Sequence, residues 1–114
     1  MWSRIVRRVD DVFRALADPT RRALLDALFE RDGQTVQALC DRAPSMTRFG
    51  VMKHLDVLET ANLVTTRREG RSKLHFLDPV PIQQISDRWI GKYVQPFTRV
   101  LVDLQPDLEQ RGIA

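Results

Sequence analysis

The sequence predicts a mainly α-helical fold that carries one β-hairpin and ends in a long helix. Three observations lead there. Before residue 62, apolar residues recur at three- and four-residue steps in four short stretches. The pattern then changes to two Thr-, Val-, Leu- and Phe-rich runs flanking Glu69-Gly70-Arg71-Ser72. From Ile82 to Leu108 the helical steps return. With 114 residues and 43% hydrophobic content, the chain is expected to form a single domain, 1–114, with one modest core.

Val9, Val12, Phe13 and Leu16 set a first helix over about 6–16. Asp18 caps a second helix, and Pro19 fits its first turn, where no amide hydrogen is needed. Ala23, Leu24, Ala27, Leu28 and Phe29 are its expected inward residues, and Gly33 stops it. Thr35 caps a short third helix with Val36, Leu39 and Cys40 inward. Arg42-Ala43-Pro44-Ser45 is a tight polar break. Thr47 caps the fourth helix, in which Val51, Leu55 and Leu58 form the buried stripe. Met46 and Val51 are placed to form a hydrophobic staple. Asn62 takes the left-handed residue after the helix end.

Val64–Arg68 and Lys73–Leu77 are the hairpin strands, with the turn at Gly70. Asp78-Pro79 opens the last helical region, whose stripe is Ile82, Ile85, Trp89, Tyr93, Phe97, Val100, Leu104 and Leu108. Pro96 is expected to kink or split it, into about 80–94 and 96–110.

The charge is uneven. Between Met46 and His75 lie six cations, Arg48, Lys53, Arg67, Arg68, Arg71 and Lys73, against three acids, Asp56, Glu59 and Glu69. The rest of the chain carries equal numbers of both signs, so the net +3 resides in this stretch. A local basic surface suits a polyanion; a solvated helix and hairpin face is the plainer account. Both histidines, His54 and His75, fall in the same stretch.

Three short helices, a fourth with a cationic face, a basic hairpin and a long last helix make a winged helix-turn-helix, with the few-residue turn between helices three and four that the motif needs. In such a fold the fourth helix enters a major groove and the wing meets flanking backbone or minor groove.

VFRALADPTRR (12–22) and VMKHLDVLETANLV (51–64) resemble the ArsR family of bacterial regulators, and Arg68-Glu69-Gly70-Arg71 is similar to its wing turn. The similarity spans roughly residues 10–95. MTRFGVMKHL and FLDPVPI, followed by RWI and KY, resemble a subgroup found beside polyketide-cyclase/START-like proteins. The resemblance implies a double-stranded DNA-binding repressor, homodimeric through its first and last helices, about 6–16 and 80–110. The family's metal sensors carry Cys-x-Cys on the third helix, where this chain has Ala38 and Cys40. A second family metal site meets Asp87 but then Trp89, Val100 and Leu104. Neither ligand set is complete, so no metal and no cofactor is expected.

The expected DNA-binding residues are Thr47, Arg48, Phe49, Gly50, Lys53, His54, Arg67, Arg68, Arg71 and Lys73. Several have a second reading. Thr47 is also a plain cap, and Phe49 meets a thymine methyl or packs under the turn. His54 contacts phosphate or packs between helices, whereas His75 is expected to be structural or solvated. Cys40 reads as a small buried hydrophobe rather than a redox centre. The expected dimer surface is Val9, Phe13, Trp89, Tyr93, Phe97, Val100 and Leu104, too much apolar area for the first helix alone to cover. Trp89 and Tyr93 mark where an apolar small-molecule effector would sit against the dimer mate.

One cysteine excludes an intrachain disulfide and fits a reducing cytoplasm, with nucleoid association when DNA is bound. No apolar run reaches membrane-span length, and the arginine-bearing start lacks a secretory apolar region. No nucleophile–base pair, phosphate loop or carboxylate pair points to an enzyme. The competing reading is a winged-helix module that binds protein or RNA without reading DNA sequence.

Overall fold

The chain begins with α1, Trp2–Leu16, a helix that starts four residues ahead of the expected position. In this computed structural model the described residues are 2–94, with side chains described from residue 8. They fall into two units, residues 1–82 and a second beginning at Gln83. In the first unit, α1 packs on α2 (Pro19–Glu30) and α4 (Arg48–Thr60), and α3 (Val36–Asp41) packs on α4. The antiparallel hairpin of β1 (Val64–Glu69) and β2 (Ser72–Leu77) closes on α2, α3 and α4.

The joint between α1 and α2 is made by four consecutive kinds of local chemistry. Asp18 has extended backbone and accepts the Arg21 N–H at 3.0 Å, capping α2, while Pro19 fills the first turn. Accepting that N–H is the main reason the Asp18 carboxyl is held below its ordinary pKa of 3.8. The Arg21 guanidinium reaches back to α1, donating from Nε to the Ala15 carbonyl and from Nη2 to the Arg14 carbonyl, both at 2.9 Å. Arg22 Nη1 donates to the Leu16 carbonyl at 2.7 Å. The last carbonyls of α1, which lack intrahelical partners, are thus satisfied by the two arginines that open the next helix.

In α2 the buried residues are Leu24, Leu25, Ala27 and Leu28. Ala23 and Phe29, expected inward, are exposed, Phe29 to 80%. At 100° per residue they lie about 40° beyond either edge of the buried arc. The run Ala23–Phe29 is broken only by Asp26, so its sequence marks no clean face. Beyond α2, Gly33 has φ +74°, and a Cβ there would stand 3.1 Å from the Phe76 ring. Glycine is required both by conformation and by that approach.

Thr35 caps α3 as expected, accepting from the Ala38 N–H at 3.1 Å, and Leu39 is buried. Val36 and Cys40 are half-buried. In α4, Thr47 is the cap, and Val51, Leu55 and Leu58 are buried, all as expected. Asn62 ends α4 with φ +62°. The Leu63 N–H donates to the Leu58 carbonyl (2.9 Å) and the Asn62 N–H to the Glu59 carbonyl (3.0 Å), a Schellman closure with both leucines buried.

The hairpin register pairs Val64 with Leu77 and Glu69 with Ser72, one pair more than expected, around the two-residue loop Gly70-Arg71. Only Gly70 has positive φ (+62°), as at the first central position of a type II′ turn. The hairpin has a third backbone partner. Gln34 bridges His75 antiparallel, its carbonyl accepting the His75 N–H (2.8 Å) and Nδ1–H (2.9 Å). The Gln34 side chain donates to the Ala27 carbonyl at 2.9 Å and also to the Arg31 carbonyl. His75, only 2% exposed, is therefore structural, one of the two roles expected for it.

After the hairpin, α5 (Val80–Ile85) passes into a π-helical turn, Ser86–Ile90, and the helix continues to residue 94. The apolar spacing of this segment carries no signal for such a turn. The Gly91 N–H donates to the Ser86 carbonyl, and a Cβ on Gly91 would approach that oxygen to 3.2 Å. The Pro96 kink and the 96–110 helix lie outside the described residues. Among the described residues no helix is long and apolar enough to cross a membrane.

Asn62→Val is expected to destabilise by about 1–2 kcal/mol through its left-handed backbone, while Asn62→Gly holds or raises stability; urea unfolding midpoints measure both. Arg21→Met, which keeps the stem and removes the donors, is expected to cost about 1.5–3 kcal/mol. Asp18→Ala should lower stability at pH 7 and lose that effect as pH falls through the depressed carboxyl pKa, below 3.8. An Asp18→Ala deficit that persists undiminished at pH 2 would contradict the capping account.

Candidate nucleic-acid interface

The face of α4 opposite Val51, Leu55 and Leu58 is exposed and begins at its N-terminus. Thr47 Oγ1 accepts the Gly50 N–H at 3.0 Å. A Cβ on Gly50 would lie 3.1 Å from that oxygen and 3.2 Å from Met46 Cε, so the small residue lets the cap close tightly. No acid occupies the first turn of α4, and the positive end of the helix dipole is left available to an anion. Arg48, in that turn, donates from Nη1 to Gln37 Oε1 at 3.0 Å.

Phe49 is 67% exposed, which overturns the packing alternative for this side chain. Lys53, one turn on, holds its Nζ 4.9 Å from the centre of the Phe49 ring. Arg48, Phe49 and Lys53 thus form an exposed cation–aromatic–cation set, with Met52 also exposed.

His54 does not join them. It is half-buried, with Nδ1 3.3 Å from Arg21 Nη1 and 3.9 Å from Asp18 Oδ2. A guanidinium only donates, so Nδ1 is the acceptor and the ring hydrogen sits on Nε2. Of its two readings, the structure supplies the partners for helix packing. His54 ties α4 to the α1–α2 joint.

The wing cations divide. The Arg67 guanidinium lies 5.0 Å from the Phe76 ring centre and 3.9 Å from a Glu69 carboxylate oxygen. Lys73 Nζ is 3.6 Å from Glu59 Oε1, at the far end of α4. Arg68 and Arg71 are exposed and have no side-chain partner among the described residues. Of the expected dimer residues, Val9 and Trp89 are half-buried, and Phe13 and Tyr93 are exposed. Phe97, Val100 and Leu104 lie outside the described residues.

Sequence reading missed Gln34, Gln37, Arg21 and Arg22. The arginines had a signal, since cations just past a helix end suit its carbonyls. The two glutamines act through partners distant in sequence and had none.

Residues 16–67 match a helix-turn-helix domain family. YuzN of Bacillus subtilis, an uncharacterized HTH-type transcriptional regulator, is 40% identical over 86 residues, covering 71% of this chain and 94% of that protein. SdpR of the same organism, a transcriptional repressor, is 26% identical over 86 residues, with 75% and 92% covered. Among solved structures, an ArsR family transcriptional regulator superposes with TM-score 0.67 and 29% identity, covering 81% of this chain and 92% of that one. The homodimeric winged helix-turn-helix DNA-binding domain Mb0332 of Mycobacterium bovis shares the fold, with TM-score 0.63, 22% identity and coverage of 92% and 87%. With its capped fourth helix, its hairpin wing and relatives that are regulators rather than enzymes, the chain belongs to the ArsR family of winged helix-turn-helix transcriptional regulators.

Proposed function

We propose that this DNA-binding regulator is a homodimeric repressor reading an inverted repeat, with α4 in the major groove and the wing on flanking backbone or minor groove. The observation that carries the reading is the first turn and a half of α4. Arg48, Phe49 and Lys53 stand exposed on it, no acid occupies its first turn, and its other face is buried. Arg48 and Phe49 address base edges, Lys53 a phosphate, and Thr47 and Gly50 allow close backbone approach.

Arg68 and Arg71 are the wing's phosphate contacts, being free of competing acids. Arg67 and Lys73, already engaged with Phe76, Glu69 and Glu59, hold the wing's shape and contribute less. His54 acts in this reading by seating α4 rather than by touching DNA. Dimerisation runs through Val9, Phe13, Trp89, Tyr93, Phe97, Val100 and Leu104. Exposed Phe13 and Tyr93 on the terminal helices support it, and the Mb0332 domain is itself homodimeric. Repression is supported by the similarity to SdpR.

Selection of bound sequences from random duplex DNA at two salt concentrations tests the reading. An inverted repeat with half-sites one helical turn, about 34 Å, apart is the expected result. Binding without an enriched sequence would instead favour a protein- or RNA-binding module. On the selected duplex, Arg68→Ala and Arg71→Ala should each weaken binding to all sequences and lower the salt slope by about one. Arg67→Ala should change the slope less.

Phe49 gives a separate prediction. Replacing thymine by uracil at the contacted pair removes only the 5-methyl group. That replacement is expected to weaken the natural protein several-fold and the Phe49→Ala variant not at all. Equal losses in both proteins would show that Phe49 does not face that methyl.

A further inference from the structure

We propose that Gln37 and Asp41 of α3 are positioning residues that aim Arg48 at a guanine. The proposal rests on the reading of α4 as the recognition helix and deepens it. Three side chains form a directed chain: Arg48 Nη1 donates to Gln37 Oε1 at 3.0 Å, and Gln37 Nε2 donates to Asp41 Oδ1 at 3.0 Å. A guanidinium can only donate and a carboxylate can only accept. The amide between them is therefore fixed in one orientation, because its flipped form loses both bonds. Asp41 is not drawn elsewhere among the described residues. The neighbouring Arg42 pairs with Glu30 instead.

The placement of Arg48 needs such a device. A cation in the first turn of a helix meets the positive end of the dipole, and α4 offers no acid there. The guanidinium is instead drawn to an oriented carbonyl dipole from the preceding helix. All three residues are exposed, so these bonds add little to the fold. Their effect is to restrict a long side chain to one direction before it meets DNA, which lowers the ordering cost of contact. Only Nη1 is engaged. The remaining N–H groups of the fork stay available, and the acceptor pair that matches a guanidinium fork in the major groove is O6 and N7 of guanine.

The test uses the full chain and duplexes obtained by selection, with every single-base-pair change scored by fluorescence anisotropy. Arg48→Ala is expected to abolish discrimination at one G·C pair. Gln37→Ala should reduce discrimination at that same pair by about 3- to 10-fold, leave affinity for unselected duplex unchanged, and add nothing in an Arg48→Ala background. Asp41→Asn, which keeps an acceptor oxygen, should retain discrimination, and Asp41→Ala should lose part of it. Thermal melting of each variant checks that the fold is intact. If Gln37→Ala weakens all duplexes alike, and does so in the Arg48→Ala background, Gln37 touches the backbone itself and positioning is overturned. If Gln37→Ala and Asp41→Ala both spare a discrimination that Arg48→Ala abolishes, it is overturned as well. If Arg48→Ala spares every discrimination, the assignment of Arg48 as a base reader has failed, and this proposal falls with it.

Discussion

The guanidinium of Arg21 donates to two carbonyls at the end of α1 while its own backbone N–H is held by Asp18. A helix end packed against neighbours leaves carbonyls that water cannot freely reach, and each such group is costly if unpaired. Supplying the donors from the first turn of the next helix fixes the angle between the two. His54 then accepts from the same guanidinium, so the helix that presents Arg48, Phe49 and Lys53 is referenced to that joint. The orientation of the exposed face of α4 thus depends on a polar cluster on the far side of the helix, and the apolar stripe beneath it supplies the burial.

A second joint does the same for the wing. A two-stranded hairpin is marginal on its own. Here Gln34 adds a single bridge to His75, and the side chains of Gln34 and His75 are both satisfied inside. No described buried side-chain polar atom is left without a partner. Lys73 adds a tie from β2 to Glu59 at the end of α4. The wing is therefore attached to α2, α3 and α4 through groups whose identity matters more than their hydrophobicity.

The parts legible in the sequence are those whose physics is local. Asp18, Thr35 and Thr47 accept an N–H three residues on, so cap and partner are read together. Asn62 and Gly70 declare a positive φ by residue type. The stripe of α4 was clear because Lys53, His54 and Asp56 interrupt the apolar residues around Val51, Leu55 and Leu58. The face of α2 was not, because the apolar run around it exceeds half a turn and only tertiary contact decides where Phe29 points. The site followed the same rule. Residue types marked the cationic stretch, but its division into engaged and free cations depends on Glu59, Glu69, Phe76 and Gln37. Their partnerships arise only once the hairpin and α3 are placed, and for Gln37 and Glu59 across 11 and 14 positions of chain. The π-turn at Ser86–Ile90 has no residue signature beyond Gly91.

That division has a consequence for how affinity and specificity separate. A cation already paired within the protein must break or share that pairing to neutralise a phosphate, so its net gain on DNA is smaller. Arg68 and Arg71, with no side-chain partner among the described residues, carry no such cost. Arg48 is held by a neutral amide, which directs it without cancelling its charge. On the proposed reading, affinity comes mainly from side chains the protein leaves unpaired, and discrimination from the one it orients. The small net charge of +3 is compatible with that reading, because a polyanion responds to the local set of uncompensated cations and not to the sum over the chain.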